Sequence, residues 1–202
     1  MRKSVWAAWL VLSAMAGPSI AAPQGDWPCI QRRVESLSAA AFWSGPPIEE
    51  AAKTWREKPE IANLVANLVS RRIPVEDAEK MIAEFAASHK GDKDALTVVF
   101  AGAFAELNAL RTQIIHGIER FSRTMRGLSD NLNKTRAELS ALVALPEKNE
   151  QQRARIQELQ TRVQWDTRLH NERQNTLRYV CETPVLLEQR VFAIARAVQN
   201  EM

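Results

Sequence analysis

Cys29 and Cys181 are the two cysteines of this 202-residue chain and its readiest source of covalent chemistry. Lipidation needs a cysteine directly after a small-residue cleavage box, but Trp27 and Pro28 precede Cys29. Haem attachment needs C-x-x-C-H, whereas the sequence reads Cys29-Ile30-Gln31-Arg32. Metal binding needs ligands at short regular spacing; His89, His116 and His170 lie far apart and no Cys or His pair has that spacing. What remains in an exported chain is a disulfide between Cys29 and Cys181, with unpaired or intermolecular thiols as the alternative. No metal and no cofactor is assigned.

Other reactive residues have plainer roles. Glu49/Glu50 and Glu76/Asp77 sit where helices should start, and there they complement the helix dipole. Ser36 and Ser38 have no nearby histidine. The Asp92-Lys93-Asp94 run lacks the oxygen-ligand spacing of a calcium loop and reads as a helix cap. Phosphate-binding glycine loops, HExxH, GxSxG and CxxC are all absent. Asp166, His170 and Arg173 fall on an otherwise apolar helix side. A buried His170–Asp166 pair would titrate near neutrality. The simpler role is a polar layer that fixes the register of a coiled coil. These residues do not compose an enzyme.

Charge clusters locally. From Arg111 to Arg136 the bases exceed the acids by four, and from Glu147 to Arg178 by two. Arg120, Arg123, Arg126, Arg162 and Arg168 are therefore candidate contacts for an acidic partner, since guanidinium grips carboxylate or phosphate in two-point fashion. The alternative is a solvated helix flank. Trp165 is the aromatic of this stretch. It either covers the weak seam at Asp166 or stands out as an anchor for a partner.

The elements that must position these residues are almost all helical. Residues 1–21 read as an export signal: Arg2 and Lys3, then an apolar run from Val5 to Met15, then small residues, with the cut after Ala21 or Ala22. Losing Arg2 and Lys3 lowers the formal net charge from +3 to +1, so charge gives no argument for nucleic acid. No later segment is apolar for about 18 residues, and no spanning segment is expected after cleavage. Prolines 28, 47, 59, 74 and 184 stand where first helical turns begin. Helices are predicted over 28–42, 47–57, 59–72, 74–89, 94–145 and 147–181. Thr183-Pro184 should then break the chain before a last helix to 199.

Ile118, Phe121, Met125, Leu128, Leu132, Thr135, Leu139 and Leu142 are spaced three and four apart in alternation, a coiled-coil seam. Ile156, Leu159, Val163 and Leu177 supply the return. A turn near Glu147 places Leu139 opposite Ile156 and Gln113 opposite Cys181. The fold class is therefore all-α: a long antiparallel hairpin with a compact head of short N-terminal helices on its base. Residues 22–113 form the head and the base of the first long helix. Residues 114–180 form a projecting arm, and 181–202 return to the head. Val98–Leu107 is apolar on most sides and needs cover all round. In architecture alone the outline resembles periplasmic hairpin chaperones and the hairpins of efflux adaptors, without their β-rich bodies.

Long exposed coiled coils mostly present surfaces to other proteins. The expected role is a non-catalytic interaction or scaffold protein of the cell envelope, periplasmic or secreted. Its partner is a protein whose acidic character would suit the arm; a second copy is another form the contact could take. The alternatives are a holdase-type chaperone, and a head that binds a small ligand or catalyses.

Overall fold

The computed structural model describes residues 25–202; the expected export signal lies outside the described residues. The chain forms α1 (Ala51–Thr54), α2 (Pro59–Val69), α3 (Val75–Ser88), α4 (Lys93–Val143) and α5 (Glu150–Asn200), with 3-10 turns at Ala39–Ala41 and Trp55–Glu57. The fold is all-α, and α4 and α5 pack as an antiparallel hairpin.

Local chemistry sets the helix ends. Asp92 accepts hydrogen bonds from the Asp94 and Ala95 amides, so it caps α4 as its sequence position predicts. Before it, Gly91 and Lys90 take left-handed backbone angles, φ +69° and +54°, that close α3. Asn149 and Gln152 form a reciprocal capping box that starts α5.

The head buries one apolar core. Trp43 stacks on Phe100 with ring centroids 4.2 Å apart, Trp55, Val65 and Leu68 close around α4, and α3, which buries Ile82 and Phe85, packs on α5. Gly102 has a structural reason here. A Cβ at this position would lie 2.9 Å from Trp55 and from Val65, so only glycine lets the Trp55–Glu57 turn and α2 approach α4 this closely. By length and composition α4 could cross a membrane. Its apolar residues Leu96, Val99, Phe100, Ala103 and Leu107 are instead buried in the head. From α5, Leu187, Val191, Ile194 and Val198 complete the core.

The arm beyond Ile114 is about 45 Å long, at roughly 1.5 Å per residue to Val143. Ile118, Met125, Leu132 and Thr135 are buried along its seam, and Leu159 answers from α5. Near the tip Arg155 meets Glu138 at 2.8 Å, a pair that fits the predicted turn.

Three predicted elements differ. Residues 25–38 form no helix; they run as an irregular strap along the hairpin. Their backbone groups find tertiary partners instead of helical ones. The Leu37 amide donates to Asn108, the Val34 carbonyl accepts from Arg111, and the Glu35 carbonyl accepts from Thr112. The second difference is at Pro184, which interrupts nothing: α5 is continuous through it. Proline removes one backbone hydrogen bond. Leu187 and Val191, packed in the core just beyond, and the covalent tie at Cys181 hold the helix on both sides of that gap. Likewise α1 starts at Ala51 rather than at Pro47 and ends at Thr54, where Trp55–Glu57 continue as a 3-10 turn.

Candidate functional site

The strap and the arm together make the most structured surface outside the core. Cys29 and Cys181 are disulfide-bonded with Cα atoms 5.6 Å apart, joining the strap to α5. Beside the bond Gln31 donates its side-chain amide to the Cys181 carbonyl. Trp27 Nε1 donates to the Gln31 carbonyl at 2.7 Å, folding the strap back on itself above the disulfide.

Going toward the head, Arg33 pairs with Glu119 and Glu35 lies 3.4 Å from His116. Arg111 then reaches across. It is only 3 % exposed, donates to the Val34 carbonyl at 2.5 Å and meets Glu188 of α5 at 2.7 Å. Arg111, Ile115, Glu119, Ser122 and Arg126 follow helical spacing on one face of α4. That face carries the strap, and it buries Ile115 and Ser122 in addition to the expected seam.

Going toward the tip, Asp26 binds two of the predicted arginines. Its Oδ2 lies 2.7 Å from Arg123 Nη1, and its Oδ1 accepts from Arg126 Nη2. Hydrogen bonds from Arg123 and then Arg126 hold the Asp26 carboxyl below its usual range. Arg123 and Arg126 are therefore not simple solvated flank charges. Arg120, one turn away, is exposed and has no ion-pair partner among the described residues.

On the return helix the predicted residues separate. Trp165 is 64 % exposed beside a shallow depression formed by Ala154, Gln157, Thr161 and Arg162. It stands out from the seam rather than covering it, since its position turns it away from α4. Arg168 is exposed. Asp166 turns to Arg162 at 3.7 Å, not to His170. Asp166, His170 and Arg173 are all half-buried, and from Glu150 to Thr183 only Leu159 is buried on α5.

Two further features carry no periodic signal in the sequence. An apolar cleft of about 550 Å³ opens beside the disulfide, with Pro28, Ile30, Leu177, Val185 and Leu186 in its walls and Arg178 at its edge. Arg190 is buried in the head with no acidic partner among the described residues. It donates to the Leu68 carbonyl at 2.5 Å and to the Ile73 carbonyl at 2.9 Å. Burial pushes its pKa down, and the negative end of the α2 dipole supplies the compensating field. A clue was present at both buried arginines: Arg111 and Arg190 interrupt apolar helix faces.

The site offers paired charges, an exposed indole and an apolar cleft. Among the described residues no three His, Cys, Asp or Glu side chains gather around one point. No family model matches the chain, and no curated protein or solved structure matches it either.

Proposed function

We propose that this is an exported, non-catalytic cell-envelope protein, periplasmic or secreted, that presents its arm to a protein partner. One observation carries the reading. The 45 Å arm leaves the head as two helices whose outer faces no other described helix covers, and it holds Trp165 out in solvent. Exposed aromatics set among arginines are the usual anchors of protein interfaces. The disulfide fits an oxidising compartment, and the basic, then apolar, start of the chain fits export. A photo-cross-linking amino acid at position 165, placed in cells, tests the reading. One or two discrete envelope adducts are expected, and none from the same residue at the head position Glu57. Absence of adducts at 165 refutes it.

A second reading has its own observation. Ile30 is fully exposed beside the cleft, with Val185 and Leu186 partly exposed nearby. Apolar surface of this kind suits a holdase-type chaperone or the binding of a small amphipathic ligand. Suppression of client aggregation that is lost in Ile30→Ser/Leu186→Ser favours the holdase.

A further inference from the structure

We infer that Arg120, Arg123 and Arg126 form a receptor for an extended acidic segment of a protein partner, and that Asp26 is its built-in competitor. This rests on the reading of the arm as a partner-binding surface.

The geometry is that of an occupied anion site. Each oxygen of the Asp26 carboxylate takes its own guanidinium, one from Arg123 and one from Arg126. Charge-assisted bonds of this kind are roughly twice as strong as bonds between neutral groups. The occupant sits in a turn at the start of the strap, outside any helix, so the site accepts a carboxylate carried on non-helical chain. Arg120 extends the row by one turn and is unfilled among the described residues. The three residues span about 9 Å of helix axis. An extended acidic segment presents carboxylates on one side about every 7 Å. It can therefore engage the row at two points, whereas Asp26 engages one end.

Asp26 is also placed to leave. It lies three residues beyond Cys29, so the strap's covalent anchor stays closed while Gly25–Pro28 lifts. The two arginine side chains are 52 % exposed, and such ion pairs are weak enough to exchange. The head core includes none of these residues, so exchange does not disturb it. Tethering gives Asp26 an effective concentration on the order of millimolar. A single free carboxylate does not displace it, and a run that also reaches Arg120 does. A flat lipid surface fits less well, because Arg123 and Arg126 converge on a single carboxylate borne by a protein segment.

The test uses the oxidised protein and a fluorescently labelled hexaglutamate peptide, with binding read by anisotropy at low salt. Asp26→Asn is expected to tighten peptide binding on the order of tenfold. Adding Arg123→Gln and Arg126→Gln should abolish that gain, with circular dichroism unchanged. Equal affinity in the native protein and Asp26→Asn overturns the inference, as does a gain that survives the arginine changes. Co-sedimentation with vesicles containing phosphatidylglycerol serves as the lipid arm: a gain seen there and not with the peptide also overturns it. Adducts at position 165 report on the arm separately. If they persist while Asp26→Asn changes nothing, the receptor falls and the arm reading stands; if the peptide result holds and no adduct forms, the arm reading falls.

Discussion

Arg111 on α4 and Glu188 on α5 meet at 2.7 Å where the hairpin leaves the head, with the arginine side chain only 3 % exposed. The pair fixes the hairpin laterally and, through the Val34 carbonyl, seats the strap. Glu188→Ala leaves a buried cation without its partner, and stability should fall by about 3 kcal/mol in urea denaturation. Replacing both residues with leucine should recover much of that loss, because the remaining buried charge goes with them. A single Glu188→Ala that costs nothing would mean water already reaches Arg111.

The Cys29–Cys181 bond closes a loop of 152 residues. Chain-entropy reasoning assigns such a loop on the order of 5 kcal/mol, and measured values often fall below it. Reduction, or Cys29→Ser with Cys181→Ser, should lower Tm while far-UV circular dichroism keeps most of its helical signal. The seam of α4 and α5 does not depend on the bond. Thiols that alkylate freely in the native oxidised protein would refute the pairing.

Asp26 sets a pH dependence. Its folded pKa is lowered by Arg123 and Arg126, the charged groups that face it. A depressed carboxyl stabilises docking above its unfolded pKa, about 3.9. The contribution is lost as pH falls through the lower, folded value. The Trp27 indole N–H resonance, fixed by its bond to Gln31, should shift with an apparent pKa below that of free aspartate. Asp26→Asn should remove this transition. A midpoint at the ordinary aspartate value would show that the arginines do not hold it.

Gly102 and Gly127 should respond in opposite directions to alanine. Helix propensity favours alanine by about 1 kcal/mol at both. At Gly102 the new Cβ lies 2.9 Å from Trp55 and Val65, and overpacking of about 1–3 kcal/mol outweighs that gain. At Gly127 nothing lies within 4 Å, so Gly127→Ala should raise stability by roughly 0.5–1 kcal/mol. Paired chemical denaturation of the two variants decides it.

Arg190 ties the end of α2 and the segment before α3 to α5. Arg190→Met keeps much of the packing but leaves the Leu68 and Ile73 carbonyls without their donor. A loss of about 2 kcal/mol is expected, with faster amide exchange confined first to residues 68–75. Unchanged exchange there would assign the carbonyls to water.

Some of this was legible in the sequence because it repeats locally. The three-four spacing from Ile118 to Leu142 specifies an apolar helix stripe whatever lies elsewhere in the chain; Ile118, Met125, Leu132 and Thr135 of it are buried, and Phe121, Leu128, Leu139 and Leu142 are half-buried. Asp92 caps the start of α4 with its own side chain, and Gly91 before it supplies the left-handed backbone angle that closes α3. Two cysteines leave a single internal pairing, the one that forms. The strap was not legible. Pro28 and Cys29 look like a helix start, but backbone groups of Val34, Glu35 and Leu37 are satisfied by Arg111, Thr112 and Asn108, some seventy residues away. The pairing of Asp26 with Arg123 and Arg126 is likewise non-local, so no window of sequence contains both sides of it. Pro184 gives a true local signal, a missing hydrogen bond, that core packing around Leu187 and Val191 overrides. Periodicity within one helix is short-range physics and can be read along the chain; which distant polar group satisfies a given backbone or charge is set only when the chain has folded.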